Sequence, residues 1–290
     1  MHQKRKWFKI ILRIATVLFA IVFLVVSIFV YRFTRIKTDA IIYKKFENEI
    51  HKIYIPRIQY KDHLVRIFSM QKAIDTTLSI LIFVHGSPGS GMDFKRYLID
   101  SKLNSNSNLI SYDRVGYSNN KTEEVLSGLE QELEVLRQVI PVKDMTKVIL
   151  IGYSYGGTIV AAAPEKFRSK ILLAPAIEGE LEPRFWLMNL FHWKITKFLM
   201  PQVFNNAAKE KMYHLTELPT YENKWTNSPA QIKSIHGDKD RIVPYKNSLF
   251  LRGKFDSDQF ELITIPGGNH GLLWNQFDLI KREIIKDINE

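Results

Sequence analysis

The sequence predicts an α/β fold: a mostly parallel central sheet with helices on both faces, a helical cap insertion, and a single transmembrane helix at the N-terminus. Three observations predict it. Strand-length apolar runs recur from residue 78 onward, and the run 78–84 (LSILIFV) suits a strand buried on both faces of a parallel sheet. Helix-like amphipathic segments alternate with these runs, as crossover connections require. Ahead of them, residues 14–31 (IATVLFAIVFLVVSIFVY) carry no charge at all.

Composition narrows the class further. The 290 residues are 46% hydrophobic and 24% charged, enough for one large core or two small ones. Disordered, fibrous and polytopic membrane chains are excluded on that balance. With no cysteine, disulfides, thiolate-bound metals and a thiol nucleophile are excluded too. The net charge of +11 is not a nucleic-acid footprint: the first 45 residues hold ten Lys or Arg against one acid, Asp39, and so account for +9 of it. The rest of the chain is nearly neutral.

That basic charge brackets the apolar run. Thirteen of the eighteen residues in 14–31 are Leu, Ile, Val or Phe, and as a helix the run is about 27 Å long, close to the hydrocarbon thickness of a bilayer. Arg13 and Arg32 flank it, and both side chains can reach the headgroups. A cleaved signal peptide has a shorter apolar region and an A-x-A-like site, which this segment lacks. Residues 1–37 are therefore expected to be a basic segment plus membrane anchor. Basic residues flank both ends almost equally; the short cluster at the extreme N-terminus favours a cytoplasmic N-terminus with the larger domain outside.

From residue 50 to 290 the elements follow in order. A strand pair is expected at 52–60 and 63–69 with Asp62 in the turn, then strand 78–84, a helix at 92–101 and a strand at 109–112. Val125, Leu129, Leu133, Leu136 and Ile140 recur at helical spacing and predict a helix over 123–140, which Pro141 stops. Strand 147–151, a short helix and strand 170–174 come next. Residues 178–228 break the alternation, being helix-like, aromatic and interrupted at Pro183, Pro201 and Pro219; they read as the cap. Strands 231–235 and 259–265 and helices 245–251 and 274–288 complete the domain.

The chemistry sits at strand ends. Strand 147–151 runs into Gly152-Tyr153-Ser154-Tyr155-Gly156, a G-x-S-x-G sequence placed between a buried strand and a helix, where a serine is held on a sharp turn. With this motif the chain resembles the α/β-hydrolase fold over about residues 50–290, and four further loops carry the resemblance in the same order. His85-Gly86-Ser87-Pro88-Gly89 is similar to an oxyanion loop of the HGxPG form. Asp113-Arg114-Val115-Gly116-Tyr117-Ser118 is similar to the DxRGxGxS loop. The stretch from His236 to Pro244 resembles the acid loop, and Gly267-Gly268-Asn269-His270-Gly271 the histidine loop.

The resemblance implies a Ser154–His270–Asp240 triad with oxyanion donors at the backbone N–H groups of Ser87 and Tyr155. Ser154 needs a base within hydrogen-bond reach, and His270 in turn needs a carboxylate to fix its tautomer. The family's G-x-x-D-x-x-V-P spacing, laid on Gly237 and Pro244, puts that acid at Asp240, leaving Asp238 to bond its own loop backbone. His85 is expected to shape its loop, His236 to form local hydrogen bonds, and His192 and His214 to be packed or solvated. The cap aromatics Phe185, Trp186, Phe191, Trp193 and Phe198 are expected to pack within the cap. The nucleophile helix is expected to be short, because Pro164 follows Ser154 closely.

These expectations describe a membrane-anchored serine hydrolase acting on a small ester or acyl substrate, expected to be apolar from its greasy cap, with no metal, organic cofactor or nucleic acid. An aminopeptidase of the proline-iminopeptidase type, using cap acids Glu178, Glu180 and Glu182 for a substrate amine, is the runner-up. A carbon–carbon bond hydrolase and an inactive binding protein follow. A serine at the elbow argues against epoxide hydrolases and dehalogenases, which use aspartate there. The anchor makes a direct prediction: the full chain should stay in the membrane fraction through high salt and alkaline carbonate, because apolar insertion is not screened as ionic adhesion is. Release by salt alone would overturn it.

Overall fold

The computed structural model describes residues 2–34, 38–118, 123–183 and 201–290. The chain divides into two units, Met1–Lys37 and Thr38–Glu290. The first is helix α1 (His2–Thr34). Its stretch Lys6–Ile28 has a mean hydropathy of 2.7, is long and apolar enough to cross a membrane, and has none of its surface buried. This stretch starts earlier than 14–31, since helix continuity brings Trp7 and Phe8 onto the apolar surface. Thr16, a polar residue inside it, donates its hydroxyl proton to Leu12 O at 2.9 Å and so exposes no free donor.

The second unit opens with α2 (Asp39–Lys45), whose N-terminus is capped by the Thr38 hydroxyl accepting from Ile41 N. Ile42 of α2 is fully buried, and Asp39 accepts from Arg57 at 2.5 Å and from Arg66 at 3.1 Å. This helix therefore belongs to the large unit, ahead of residue 50.

Among the described residues the strands are β1 (Arg57–Tyr60), β2 (His63–Ser69), β3 (Ser79–Val84), β4 (Ser107–Tyr112), β5 (Val148–Tyr153), β6 (Ser169–Leu173), β7 (Gln231–Gly237) and β8 (Phe260–Ile265). They form one sheet in the order β1-β2-β4-β3-β5-β6-β7-β8. The β1–β2 and β2–β4 pairs are antiparallel, and every pair from β4 to β8 is parallel. The period-2 pleat sends successive side chains to opposite faces. Ile80, Ile82 and Val84 of β3 join one core and Leu81 and Phe83 the other. Each such side chain contributes roughly 1.5–3 kcal/mol when fully buried, which is why the central strands have no polar face to expose.

Helices cover both faces: α3 (Lys95–Leu98), α4 (Ser101–Asn106), α5 (Leu129–Val139), α6 (Tyr155–Ala162), α7 (Gln202–Glu217), α8 (Lys246–Arg252), α9 (Leu272–Asn275) and α10 (Phe277–Asn289). Two expected helices are corrected. The helix expected at 92–101 is a 3₁₀ turn, Gly91–Phe94, followed by α3, because Asp100 stops it and caps α4 by accepting from Lys102 N and Leu103 N. The helix expected at 123–140 begins only at Leu129. Glu123 instead turns inward, accepting from Gly116 N and Ser118 Oγ, and the start of α5 is capped from outside by Glu217, which accepts from Leu129 N at 2.6 Å.

The insertion lies between β6 and β7, and its described part is helical: a short turn at Gly179–Leu181, α7, and two further turns. Phe185, Trp186, Phe191, His192, Trp193 and Phe198 fall outside the described residues. Behind the elbow, α6 is only eight residues long and wholly buried. Lys170 of β6 closes its C-terminal end, with the ammonium donating to Ala161 O at 3.2 Å and to Ala163 O.

Lys170 is fully buried, and burial brings its pKa down to about 7. A lysine lowered on folding is uncharged in the native state above that value while the unfolded chain still binds the proton. Its contribution therefore makes the protein more stable as pH rises from about 7 towards 10.5. The slope is at most about 1.4 kcal/mol per pH unit. Lys170→Met should remove this term, so the stability difference between wild type and variant should change steadily from pH 7.5 to 9.5 in urea titrations, a window set by that lowered pKa. A pH-independent difference would refute the buried amine.

Candidate active site

Parallel strands deliver their loops to one edge of the sheet, and the five loops singled out above, which follow β3, β4, β5, β7 and β8, lie there. At the end of β5 the chain turns into α6 through Ser154, which has φ 55° and ψ −121°. A non-glycine residue there is strained, by the order of 1–3 kcal/mol, and lifts its side chain out of the turn. The turn also needs Gly156: a Cβ at that position would lie 2.1 Å from Val84 O, inside the backbone of β3. Gly86 brings the neighbouring loop equally near, since a Cβ there would lie 2.9 Å from Ser154 Cβ.

His270 Nε2 lies 3.2 Å from Ser154 Oγ, and His270 Nδ1 lies 2.7 Å from Asp240 Oδ2. The carboxylate can only accept, so Nδ1 carries the proton and Nε2 is left as an acceptor for the serine hydroxyl. Asp240 is buried, and its other oxygen accepts from Ile242 N at 2.8 Å and Val243 N at 3.0 Å. Burial works to raise its pKa, but hydrogen bonds from His236 and His270 outweigh it and hold the carboxyl well below the usual carboxylate range.

The acid and histidine loops are sewn together. Lys239 N donates to Gly268 O at 2.9 Å, and Gly267 N donates to Asp238 Oδ1 at 2.7 Å. Asp238 thus bonds the histidine loop across the gap, not its own loop backbone as expected, because β7 and β8 are adjacent and bring the two turns side by side. The Tyr153 hydroxyl donates to His270 O at 2.8 Å, and its ring packs against that of His270. The variable position before Ser154 gave no sign of this in the sequence.

His236 accepts a proton at Nδ1 from Ser248 Oγ (2.7 Å) and donates from Nε2 to Val243 O (3.0 Å), a local hydrogen-bonding role. His85 accepts from Arg114 N at Nε2 (2.9 Å) and lies 2.7 Å from Gly86 O through Nδ1, which shapes the loop. The backbone N–H groups of Ser87 and Tyr155 find no acceptor among the described residues.

Sequence reasoning missed a buried charged cluster above this floor. The Arg114 guanidinium is fully buried and donates to Glu132 Oε1 of α5 at 2.8 Å and to Glu210 Oε1 of α7. Glu210 Oε2 accepts from the Tyr117 hydroxyl at 2.8 Å. Burial raises the Glu210 pKa, and Arg114 opposes that shift. Asn206, Glu210 and His214 repeat every four residues on α7 and are all buried, a polar stripe visible in the sequence whose direction is not. His214 stacks on Tyr155 with ring centroids 4.2 Å apart, and burial holds its imidazole well below the usual histidine range. Of the cap acids, Glu178 caps its own turn, Glu180 is exposed, and Glu182 is buried against Lys211.

A serine on a positive-φ turn between the central parallel strand and its helix, faced by a histidine and an aspartate from later strand ends, defines the α/β-hydrolase class. Residues 81–280 match the model of the alpha/beta hydrolase family, and the chain belongs to that family. Among solved structures, MGS-M2, an α/β hydrolase enzyme from a Medee basin deep-sea metagenome library, is similar over 81% of this chain and 98% of its own, with 12% identity and a TM-score of 0.59. The 2-hydroxy-6-oxo-6-phenylhexa-2,4-dienoate hydrolase from Rhodococcus sp. strain RHA1 covers 83% of this chain and 100% of its own, at 18% identity and a TM-score of 0.58. A carboxylesterase structure from Nitrososphaera gargenis covers 80% and 98%, at 14% identity and 0.58. At these identities the likeness is one of fold. No curated protein sequence matches the chain.

The two aspartates make opposite predictions. Asp240→Asn should keep the fold and lower kcat by up to about 10⁴, because an amide favours the wrong imidazole tautomer. Asp238→Asn retains an acceptor for Gly267 N and should cost less than about tenfold. Comparing kcat and Tm for both variants checks the assignment, and the reverse ranking would overturn it.

Proposed function

We propose that the protein is a membrane-anchored serine hydrolase that cleaves an ester or similar acyl bond through an acyl-enzyme, with Ser154, His270 and Asp240 as its triad. The observation that carries this reading is the continuous hydrogen-bond line from Asp240 Oδ2 through both nitrogens of His270 to Ser154 Oγ, at 2.7 and 3.2 Å. In the first step His270 Nε2 takes the hydroxyl proton as Ser154 Oγ attacks the carbonyl carbon. The N–H groups of Ser87 and Tyr155 receive the oxyanion, and one such donor is typically worth about 2.7–4 kcal/mol in the transition state. His270 then hands its proton to the departing alcohol. Water, deprotonated by the same nitrogen, attacks the acyl carbon, releasing the acid and restoring Ser154.

Helix α1 would hold the enzyme at the membrane with its N-terminus on the cytoplasmic side and the hydrolase unit outside. An apolar acyl group fits the apolar rim, where Trp274 and Ile242 are each 49% exposed and Trp274 stands edge-on to Tyr153. The aminopeptidase reading is weaker, because Glu178 and Glu182 are already engaged and Glu180 faces solvent.

A fluorophosphonate should label Ser154, and Ser154→Ala should abolish labelling and lower kcat by several orders of magnitude. Labelling that survives the substitution would sink the nucleophile. Activity on p-nitrophenyl esters of rising chain length, set beside proline-p-nitroanilide, separates esterase from peptidase; preference for the anilide would overturn the ester reading.

A further inference from the structure

The cap helix reaches the floor of the site through one line of hydroxyl groups. Tyr117 OH lies 2.8 Å from Glu210 Oε2 and 2.7 Å from Ser87 Oγ. A tyrosine hydroxyl has one proton, and the Glu210 carboxylate, paired with Arg114, can only accept it. The Ser87 hydroxyl must therefore donate towards this pair, to Tyr117 or to the Glu210 carboxylate that it also contacts. Its proton is directed towards the cap, while the Ser87 backbone N–H keeps no acceptor among the described residues. Arg114 grips the same loop from behind, bonding His85 Nε2 through its own backbone N–H at 2.9 Å and Gly86 O through Nη1 at 3.4 Å. Its guanidinium also lies over the ring of Tyr155, 4.5 Å from the centroid, the residue that offers the second oxyanion N–H.

We propose that Glu210 and Tyr117 are positioning residues: α7 sets the oxyanion loop by holding the Ser87 hydroxyl, so that the hydrolase unit is catalytically competent only with the cap helix seated. Neither side chain touches the reacting atoms. The inference rests on Ser154 as nucleophile and Ser87 N–H as oxyanion donor. Its chemistry is directional. A glutamine at 210 presents an amide that can donate to Tyr117 as well as accept from it, so the direction of the chain is no longer fixed and Ser87 is no longer obliged to point to the cap. A phenylalanine at 117 removes the hydroxyl that both Ser87 and Glu210 bond, while leaving Arg114 paired with Glu210.

The test uses Glu210→Gln, Tyr117→Phe, Ser87→Ala and the Tyr117→Phe/Ser87→Ala double variant of the full chain. A p-nitrophenyl ester gives kcat and KM, a fluorophosphonate gives the rate of Ser154 labelling, and thermal unfolding gives Tm. Displacement of an oxyanion donor by about 1 Å is expected to cost on the order of 10²-fold in rate. We expect each single variant to lose 10- to 100-fold in kcat and in labelling rate, on the order of one misplaced donor, with KM nearly unchanged. The double variant should lose no more than either single one, because both break the same line. Ser87→Ala removes one oxygen only and keeps the test decisive should Tyr117→Phe fold poorly. Wild-type rates in the variants, or losses that multiply in the double variant, would overturn the positioning role alone. Failure of the wild-type protein to hydrolyse any ester or to label at Ser154 would overturn the hydrolase reading, and this one with it.

Discussion

The site depends on a contact made without side chains. Gly156, in the first turn of α6, sits so near β3 that any Cβ would fall inside the Val84 carbonyl group. This approach lets the chain leave β5, pass through the positive-φ Ser154 and start a helix directly on the sheet. Ser154 N is fixed by donating to Leu173 O on β6 at 2.8 Å, so the strained residue is held from two neighbouring strands. Strain of this kind persists only where the surroundings over-determine it, and here the surroundings are the three central strands. The loop His85–Gly89 follows immediately from β3, the strand that Gly156 touches. Ser154 and the His85–Gly89 loop are therefore placed by one packing event.

Around that floor the protein accepts buried charge. Arg114 with Glu132 and Glu210, and Arg66 with Asp113, are out of water, where each unpaired ion would cost several kcal/mol. Such pairs are weak contributors to net stability, but removing one partner typically costs about 3–5 kcal/mol, so they permit few alternative arrangements. Asp113 shows the consequence. One of its oxygens takes two bonds from Arg66, and the other accepts from Ser90 Oγ at 3.0 Å and Gly91 N at 2.9 Å. Arg66 also bonds Asp39 of α2. One line of polar contacts thus runs from Asp39 of α2 through Arg66 and Asp113 to Ser90 and Gly91, just after the His85–Gly89 loop.

The loops at strand ends were legible because their motifs resemble those of a known fold family. The glycines around Ser154 and His270 stand where the backbone crowds or must turn, and the family's spacing before Pro244 pointed to Asp240. The central strands were legible for a different reason, since burial on both faces leaves no polar option. Boundaries were less so. The segment 123–128 has helical periodicity, yet Glu123 finds partners in the Gly116–Ser118 loop and Leu129 N finds Glu217, and neither contact belongs to a helix over 123–128. Residue 50 was no boundary either, because the Asp39–Arg57 and Asp39–Arg66 pairs and the buried Ile42 attach α2 to the large unit.

By itself the sequence determined the fold class and the apolar helix at the N-terminus, because composition and periodicity act within a few residues along the chain. Its motifs at five strand ends carried the family resemblance that implied the site residues. The tertiary structure alone decided which polar residues meet. It turned the Asn206, Glu210 and His214 stripe inward, set Arg114 between acids from α5 and α7, and sent Asp238 to the histidine loop. Those pairings join residues up to 96 positions apart in sequence. Their partners are chosen by the crossing of helices and the order of strands, and no pattern along the chain records that choice.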